Sequence, residues 1–123
     1  MKVLFFTNFK LLNEKYSYFD LVYEITRNIP KGKVSTYGAI ADYLSLGSAR
    51  MVGWALNHSH SSVADIPAHR VVNRLGELSG RNHFSDPEFM AKALRSEGVM
   101  VADNKIIDFA SYFWHPENLD KKQ

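Results

Sequence analysis

The 123-residue sequence contains no cysteine. That absence excludes disulfides, thiolate metal centres and any mechanism built on a cysteine nucleophile. The fold must then stand on its core alone, and a reducing cytoplasm is the expected home. Long apolar runs are missing as well: nothing approaches the roughly 18 residues of a membrane span, so no membrane partner is expected. The opening Met1-Lys2-Val3-Leu4-Phe5-Phe6 breaks at Thr7-Asn8, too early for a secretory signal. Net charge is small at +2, so a charge count alone does not claim a nucleic acid. Internal repeats and low-complexity stretches are lacking too. What is present is 46% hydrophobic and 13% aromatic residues, which suits one small core and is too rich for a disordered chain. The length fits a single compact domain.

The charges are unevenly placed. Between Lys31 and Arg81 the basic Lys31, Lys33, Arg50, Arg70, Arg74 and Arg81 outnumber the acidic Asp42, Asp65 and Glu77. His58, His60, His69 and His83 fall in or beside the same stretch. A basic centre between neutral ends hints weakly at a phosphate-facing surface, though ordinary surface charge gives the same count. His58 and His60 are spaced like ligands on a strand, but no third ligand accompanies them. A solvated loop is the better reading there, and neither a metal nor a cofactor is expected.

Helical periodicity begins near Ser17, with Phe19, Val22, Tyr23, Ile25 and Ile29 recurring and Asp20 and Glu24 towards the start. Pro30-Lys31-Gly32 ends it. Ser35 or Thr36 can cap a second helix through Tyr37, Ile40, Ala41, Tyr43 and Leu44. After the turn Leu46-Gly47-Ser48, a third helix is predicted from about Ala49 to His58, with Val52, Ala55 and Leu56 on one face. Two short helices joined in this way have helix-turn-helix proportions. Ser59 to Pro67 reads as a loop, Val71-Val72-Asn73 as a short apolar run and Leu75-Gly76-Glu77 as a turn. A fourth helix is predicted from Pro87 to Glu97, capped by Asp86, with Phe89, Met90, Ala93 and Leu94 inward and Gly98 at its end. The chain closes with Val99-Met100-Val101, Ile106-Ile107 and the aromatics Phe109, Tyr112, Phe113 and Trp114.

The densest chemical signal is Ile66-Pro67-Ala68-His69-Arg70-Val71-Val72-Asn73. It resembles the active-site segment of the O6-alkylguanine-DNA alkyltransferases, in which Pro-Cys-His-Arg-Val is the hallmark. Ile29-Pro30-Lys31-Gly32-Lys33-Val34-Ser35-Thr36-Tyr37-Gly38 is similar to the segment leading into that family's DNA-binding helices. Ala49-Arg50-Met51-Val52-Gly53 resembles its recognition helix, and Glu97-Gly98-Val99 its closing motif. The motifs follow one another in the family's order across about residues 19–100. The departure is decisive: Ala68 stands where the acceptor thiol belongs, and a methyl group has no lone pair to attack an alkyl carbon. The pattern therefore resembles the alkyltransferase-like proteins, whose aromatic ending Phe113-Trp114-His115-Pro116 also echoes.

The resemblance implies a mostly α fold with short strands, a winged-helix-like helix-turn-helix domain over residues 17–116. Residues 1–16 are expected as an extension and 117–123 as a tail. It implies a non-enzymatic monomer that binds duplex DNA in the minor groove, flips O6-alkylguanine out of the stack and marks it for nucleotide excision repair proteins. Arg50 matches the family's arginine finger, and Tyr37 the tyrosine that crowds the neighbouring phosphate. Thr36 and Gly53 share those DNA-binding segments. Pro67, Ala68, His69, Val71, Arg81 and, on an uncertain alignment, Asn57 would form the lesion pocket. With no thiol to activate, His69, Glu97 and Asn73 become structural support, and alanine at 68 implies a roomier pocket.

Two other classes compete. A sequence-specific helix-turn-helix regulator would read base edges with the third helix, which offers few polar side chains for it; small apolar groups suit a minor groove better. An enzyme would need His69 and Glu97 to retain a proton relay without its acceptor.

Overall fold

The computed structural model describes residues 17–62 and 65–121; the expected extension 1–16 lies outside them. Helix α1 spans Tyr18–Arg27, capped by Ser17, whose hydroxyl accepts from the Asp20 amide while the Asp20 carboxylate accepts from the Ser17 amide. This reciprocal cap satisfies two otherwise orphaned donors. The apolar stripe Leu21, Val22, Tyr23 and Ile25 is buried, and Tyr23 Oη donates to the Ala55 carbonyl at 2.8 Å.

Strand β1, Ser35–Thr36, leads directly into α2, Tyr37–Tyr43. Of the two candidate caps, Thr36 is the one used: its hydroxyl accepts from the Ala39 amide at 3.0 Å. Ser35 faces inward instead, and its Oγ is buried without a hydrogen-bond partner among the described residues. Helix α3 runs Ala49–Ser62, a turn longer than expected. The loop anticipated from Ser59 is helical as far as Ser62 because Ser59 is buried and returns its hydroxyl to the Leu56 carbonyl at 2.6 Å. His58 and His60 therefore lie within a helix rather than on a strand.

A 3₁₀ turn, Ala68–Arg70, delivers the chain into β2, Val71–Val72, which pairs in parallel with β1 (Ser35 opposite Val71, Thr36 opposite Val72). Successive strand residues face opposite sides, so Val71 joins the core under α1, α2 and α3 while Val72 joins a second core with Val34, Leu78, Met90, Leu94 and Ile106. The two-strand ladder is the seam between both cores.

Helix α4 is Phe89–Ser96, two residues shorter at its start than expected. Asp86 accepts from the Glu88 amide at 2.9 Å and closes a turn around Pro87 rather than capping the helix. The start shifts the inward face to Met90, Ala91 and Leu94, and leaves Phe89 exposed, against expectation. Gly98 ends α4 at φ +91°. Strands β3 (Val101–Ala102) and β4 (Lys105–Ile106) form an antiparallel hairpin whose loop residues, Asp103 and Asn104, both have positive φ. This wing is tied to residues 76–78: Leu78 N donates to Asn104 O, and Ile106 N to Gly76 O, each at 2.9 Å. It thereby holds the start of the segment that follows, 79–83.

A short α5, Phe109–Tyr112, precedes buried Trp114. The 3₁₀ helix Pro116–Lys121 does not hang free: Leu119 packs on the first core, and Tyr43 Oη donates to Asp120 at 3.0 Å. The packed domain thus continues past residue 116. No helix among the described residues is long and apolar enough to cross a membrane.

Candidate nucleic-acid interface

Helix α3 divides its residues by face. Val52, Ala55, Leu56 and Ser59 are buried, whereas Arg50, Gly53, Trp54 and Asn57 follow i, i+3, i+4, i+7 spacing along the other side. That stripe forms one wall of an open groove of about 440 Å³. Tyr37 and the segment Ser79, Gly80 and His83 complete it. Among the described residues the Arg50 guanidinium has no hydrogen-bond or ion-pair partner. An added Cβ at Gly53 would meet nothing within 4 Å, so the helix backbone is open to a close-lying ligand there.

Tyr37 is held at the edge of the groove. Burial raises its hydroxyl pKa, and a hydrogen bond with Ser79 works against that rise. The tyrosine therefore enters the groove as a neutral phenol. Gly80 allows this close packing: an added Cβ would lie 2.7 Å from Tyr37 Oη, and the tyrosine would have to shift.

Ala68 is 8% exposed and borders a separate small chamber with Tyr37, Leu56, Asn57, Gly80, Phe84 and Met90. Its volume is about 10 Å³, at the lower limit for one water. The roomier pocket expected from alanine at 68 is absent in this arrangement, since Phe84 and Met90 close in around the methyl. Tyr37, Asn57 and Gly80 line both groove and chamber, so the two spaces adjoin. On another side, Pro67 and His69 line a cleft of about 600 Å³ with Arg27, Arg70, Phe84 and Phe89.

Behind Ala68 lies a charged clamp. Glu97, at the C-cap of α4, accepts from His69 Nε2 at 2.9 Å and from Arg70 Nε and Nη2 at 3.0 and 2.9 Å. Arg70 Nη1 reaches the Ile29 carbonyl at 2.9 Å. Desolvation works against the Glu97 charge, but the Arg70 and His69 hydrogen bonds, with their positive charge, outweigh it and hold the carboxyl down to about 2. Ionised Glu97 can only accept, so His69 Nε2 carries the proton. The pair His69–Glu97 was expected from the sequence; the bidentate Arg70, which dominates the site, was not.

Tyr37, Arg50, Gly53 and Asn57 are thus brought together, and Ala68 is next to them. Other expected residues are elsewhere. Thr36 is buried with its hydroxyl engaged as a cap. Val71 is core. Asn73 supports a turn rather than a pocket: its Oδ1 accepts from the Leu75 and Glu77 amides and its Nδ2 donates to Glu77. Arg81 turns back to donate to the Leu78 carbonyl at 3.0 Å and lines neither groove nor chamber. Trp54, Ser79 and Gly80, which are not among the expected site residues, also line the groove, as does His83 of the basic stretch. The spacing of Trp54 from Arg50 was the available signal, while the 79–83 wall depends on the wing. Asp42, His115 and Glu117 bring potential ligand atoms within 4.8 Å of one another, but His115 Nδ1 already accepts from the Glu117 amide.

The model of the 6-O-methylguanine DNA methyltransferase DNA-binding domain matches residues 17–99. Alkyltransferase-like protein 1 of Schizosaccharomyces pombe is 36% identical over 104 residues, which cover 80% of this chain and 95% of that protein. The DNA base-flipping protein of Escherichia coli is 39% identical over 95 residues, covering 76% and 71% respectively. A Schizosaccharomyces pombe protein crystallised in complex with damaged DNA containing O6-carboxymethylguanine superposes with a TM-score of 0.69 at 36% identity, covering 80% of this chain and 95% of that one. With a helical domain, short strands and alanine in place of the acceptor thiol, this chain belongs to the alkyltransferase-like family, related to the 6-O-methylguanine DNA methyltransferases.

Proposed function

We propose that this protein recognises O6-alkylguanine in duplex DNA, turns the damaged nucleotide out of the helix and holds it without removing the alkyl group. The observation that carries this reading is Ala68 lining a chamber that adjoins a groove lined by Arg50, unpaired among the described residues, in a chain with no cysteine. Helix α3 would lie in the minor groove with Arg50 entering the stack and donating to the orphaned partner base. Extrusion costs a few kcal/mol, and least for a base already weakly paired, which favours the lesion. Tyr37 at the groove edge is placed to crowd the backbone of the extruded nucleotide. The chamber at Ala68 is too small for a base as it stands, so the 79–84 wall has to move outward on binding.

No acceptor thiol remains in this chain, and the histidine and glutamate that would serve one are bonded to each other, with Arg70 holding the glutamate. Recognition without repair requires a successor, and the nucleotide excision repair proteins are the proposed partners, met by a monomer in the cytoplasm. The test is incubation with duplexes carrying labelled O6-methylguanine. Preferential retention of the modified duplex with all label still on DNA is expected. Label on protein, release of base or alkyl group, or equal affinity for unmodified duplex overturns the reading. A preference for one sequence irrespective of damage would instead identify a helix-turn-helix regulator.

A further inference from the structure

Tryptophan occurs twice in the chain, and the two indoles have opposite surroundings. Trp114 is 6% exposed within the first core, whereas Trp54 is 52% exposed on α3. Folding does not require the second: the core face of α3 is Val52, Ala55, Leu56 and Ser59, and Trp54 lies on the opposite stripe, one turn after Arg50. Its indole has no hydrogen-bond or ring partner among the described residues. A single exposed apolar side chain would ordinarily carry no meaning. This one lines the groove with Arg50, Gly53 and Asn57, beside backbone that Gly53 leaves bare.

We infer that Trp54 is a second DNA-contacting group, an apolar plate that packs on deoxyribose and base edges in the minor groove one to two base steps from the point where Arg50 enters. Four residues of α-helix advance about 6 Å, and successive base pairs are about 3.4 Å apart. Minor-groove proteins set apolar wedges against base steps alongside their cationic side chains. The surfaces Trp54 would touch belong to every nucleotide, so it adds affinity without reading the lesion. Being uncharged, it displaces no counterions. Discrimination then falls to Arg50 and the chamber, and general hold on the duplex to Trp54. This inference rests on the groove being the DNA interface.

The test titrates duplexes with and without O6-methylguanine into the protein, following the anisotropy of a dye on the DNA and tryptophan emission in parallel. Emission is expected to change with both duplexes and to track the anisotropy. Trp54→Phe is expected to bind with little loss while its emission, now from Trp114 alone, ignores DNA. Trp54→Ala and Trp54→Gln are expected to bind both duplexes about tenfold more weakly, with the ratio between duplexes and the salt slope unchanged and the circular dichroism spectrum retained. If anisotropy reports binding while the emission stays flat and both substitutions bind as wild type, the inference is overturned and the proposed function stands. A substitution that erases lesion preference but leaves affinity for unmodified duplex also overturns it. If the wild type binds neither duplex, the proposed function fails and takes this inference with it.

Discussion

The clamp around Glu97 and the groove beside Arg50 hold polar side chains under opposite rules. In the clamp, the Glu97 side chain is 9% exposed and accepts three hydrogen bonds, while Arg70 bridges it to the Ile29 carbonyl. Helix α4 ends at Glu97, where an anion is unfavourable against the helix dipole, so the hydrogen bonds from Arg70 and His69 are needed to hold it. In the groove, Arg50, Trp54 and Asn57 are exposed and donate to no described residue. A fully satisfied buried network fixes structure; open donors and an open aromatic plane are of use only to a partner. The difference separates what the domain needs to fold from what it offers to DNA, although Ala68 and His69 are adjacent in the chain.

Glu97→Ala is the harshest way to break that separation. It leaves Arg70 and His69 without their anion, and a loss of about 3–5 kcal/mol of unfolding free energy is expected in urea titrations. Lesion preference of the remaining folded protein should persist; its disappearance would mean that the clamp takes part in recognition. Acid makes the same point without mutation. Because the Glu97 carboxyl is held at about 2 in the folded protein, below its ordinary 4.5, its contribution is complete above about pH 4.5 and fades as the pH falls towards 2. The corresponding stability is about 3 kcal/mol. Glu97→Gln should flatten that part of the stability profile, and an unchanged acid limb would show that the charge is not what holds the site.

Arg50→Ala tests the other side of the contrast. A loss of at least tenfold in affinity for alkylated duplex is expected, with a stability change within about 0.5 kcal/mol, as for a surface position. A similar loss of stability would place Arg50 in the structure rather than the interface. Gly80→Ala is subtler. Its methyl would lie against Tyr37 Oη, so severalfold weaker lesion binding is expected, relieved when Tyr37→Phe removes the oxygen. Additive losses in the double variant would show that the glycine acts independently of the tyrosine.

Much of the fold is legible in the chain, because local signals agree with the packing. Ser17 with Asp20, Thr36 before Tyr37, and Gly98 after α4 mark helix ends through their own hydrogen bonds or backbone angles. The misjudged places are those where tertiary context decided. Ser59-His60-Ser61-Ser62 is a poor helical sequence by propensity, yet burial and back-bonding of Ser59 carry α3 through it. Phe89 follows the right periodicity from the wrong starting residue, since Asp86 holds Glu88 outside the helix. At the site, Arg50, Gly53 and Asn57 share a face by spacing alone. Arg81 does not reach the groove, because the direction of a side chain on a 3₁₀ turn is set by the Leu78 carbonyl it meets. Arg70 belongs to the segment that carries the resemblance, but its role as the bidentate partner of Glu97 is not legible there, because Glu97 lies 27 positions away.

The smallest effect, and the sharpest on the general charge of the interface, concerns Lys31 and Lys33. Both are exposed beside the Gly32 turn after α1, and among the described residues Lys33 Nζ reaches only the Ser111 carbonyl, at 3.4 Å. Charges of this kind meet phosphates, which every duplex presents alike. Each lysine-to-alanine substitution is expected to weaken modified and unmodified duplexes equally, by about two- to threefold, and to reduce the slope of log affinity against log salt by about one. Arg50→Ala, by contrast, should change the ratio between the duplexes. If a lysine substitution alters that ratio as well, lesion reading is not confined to the groove, and the division between a reading stripe and a general basic surface fails.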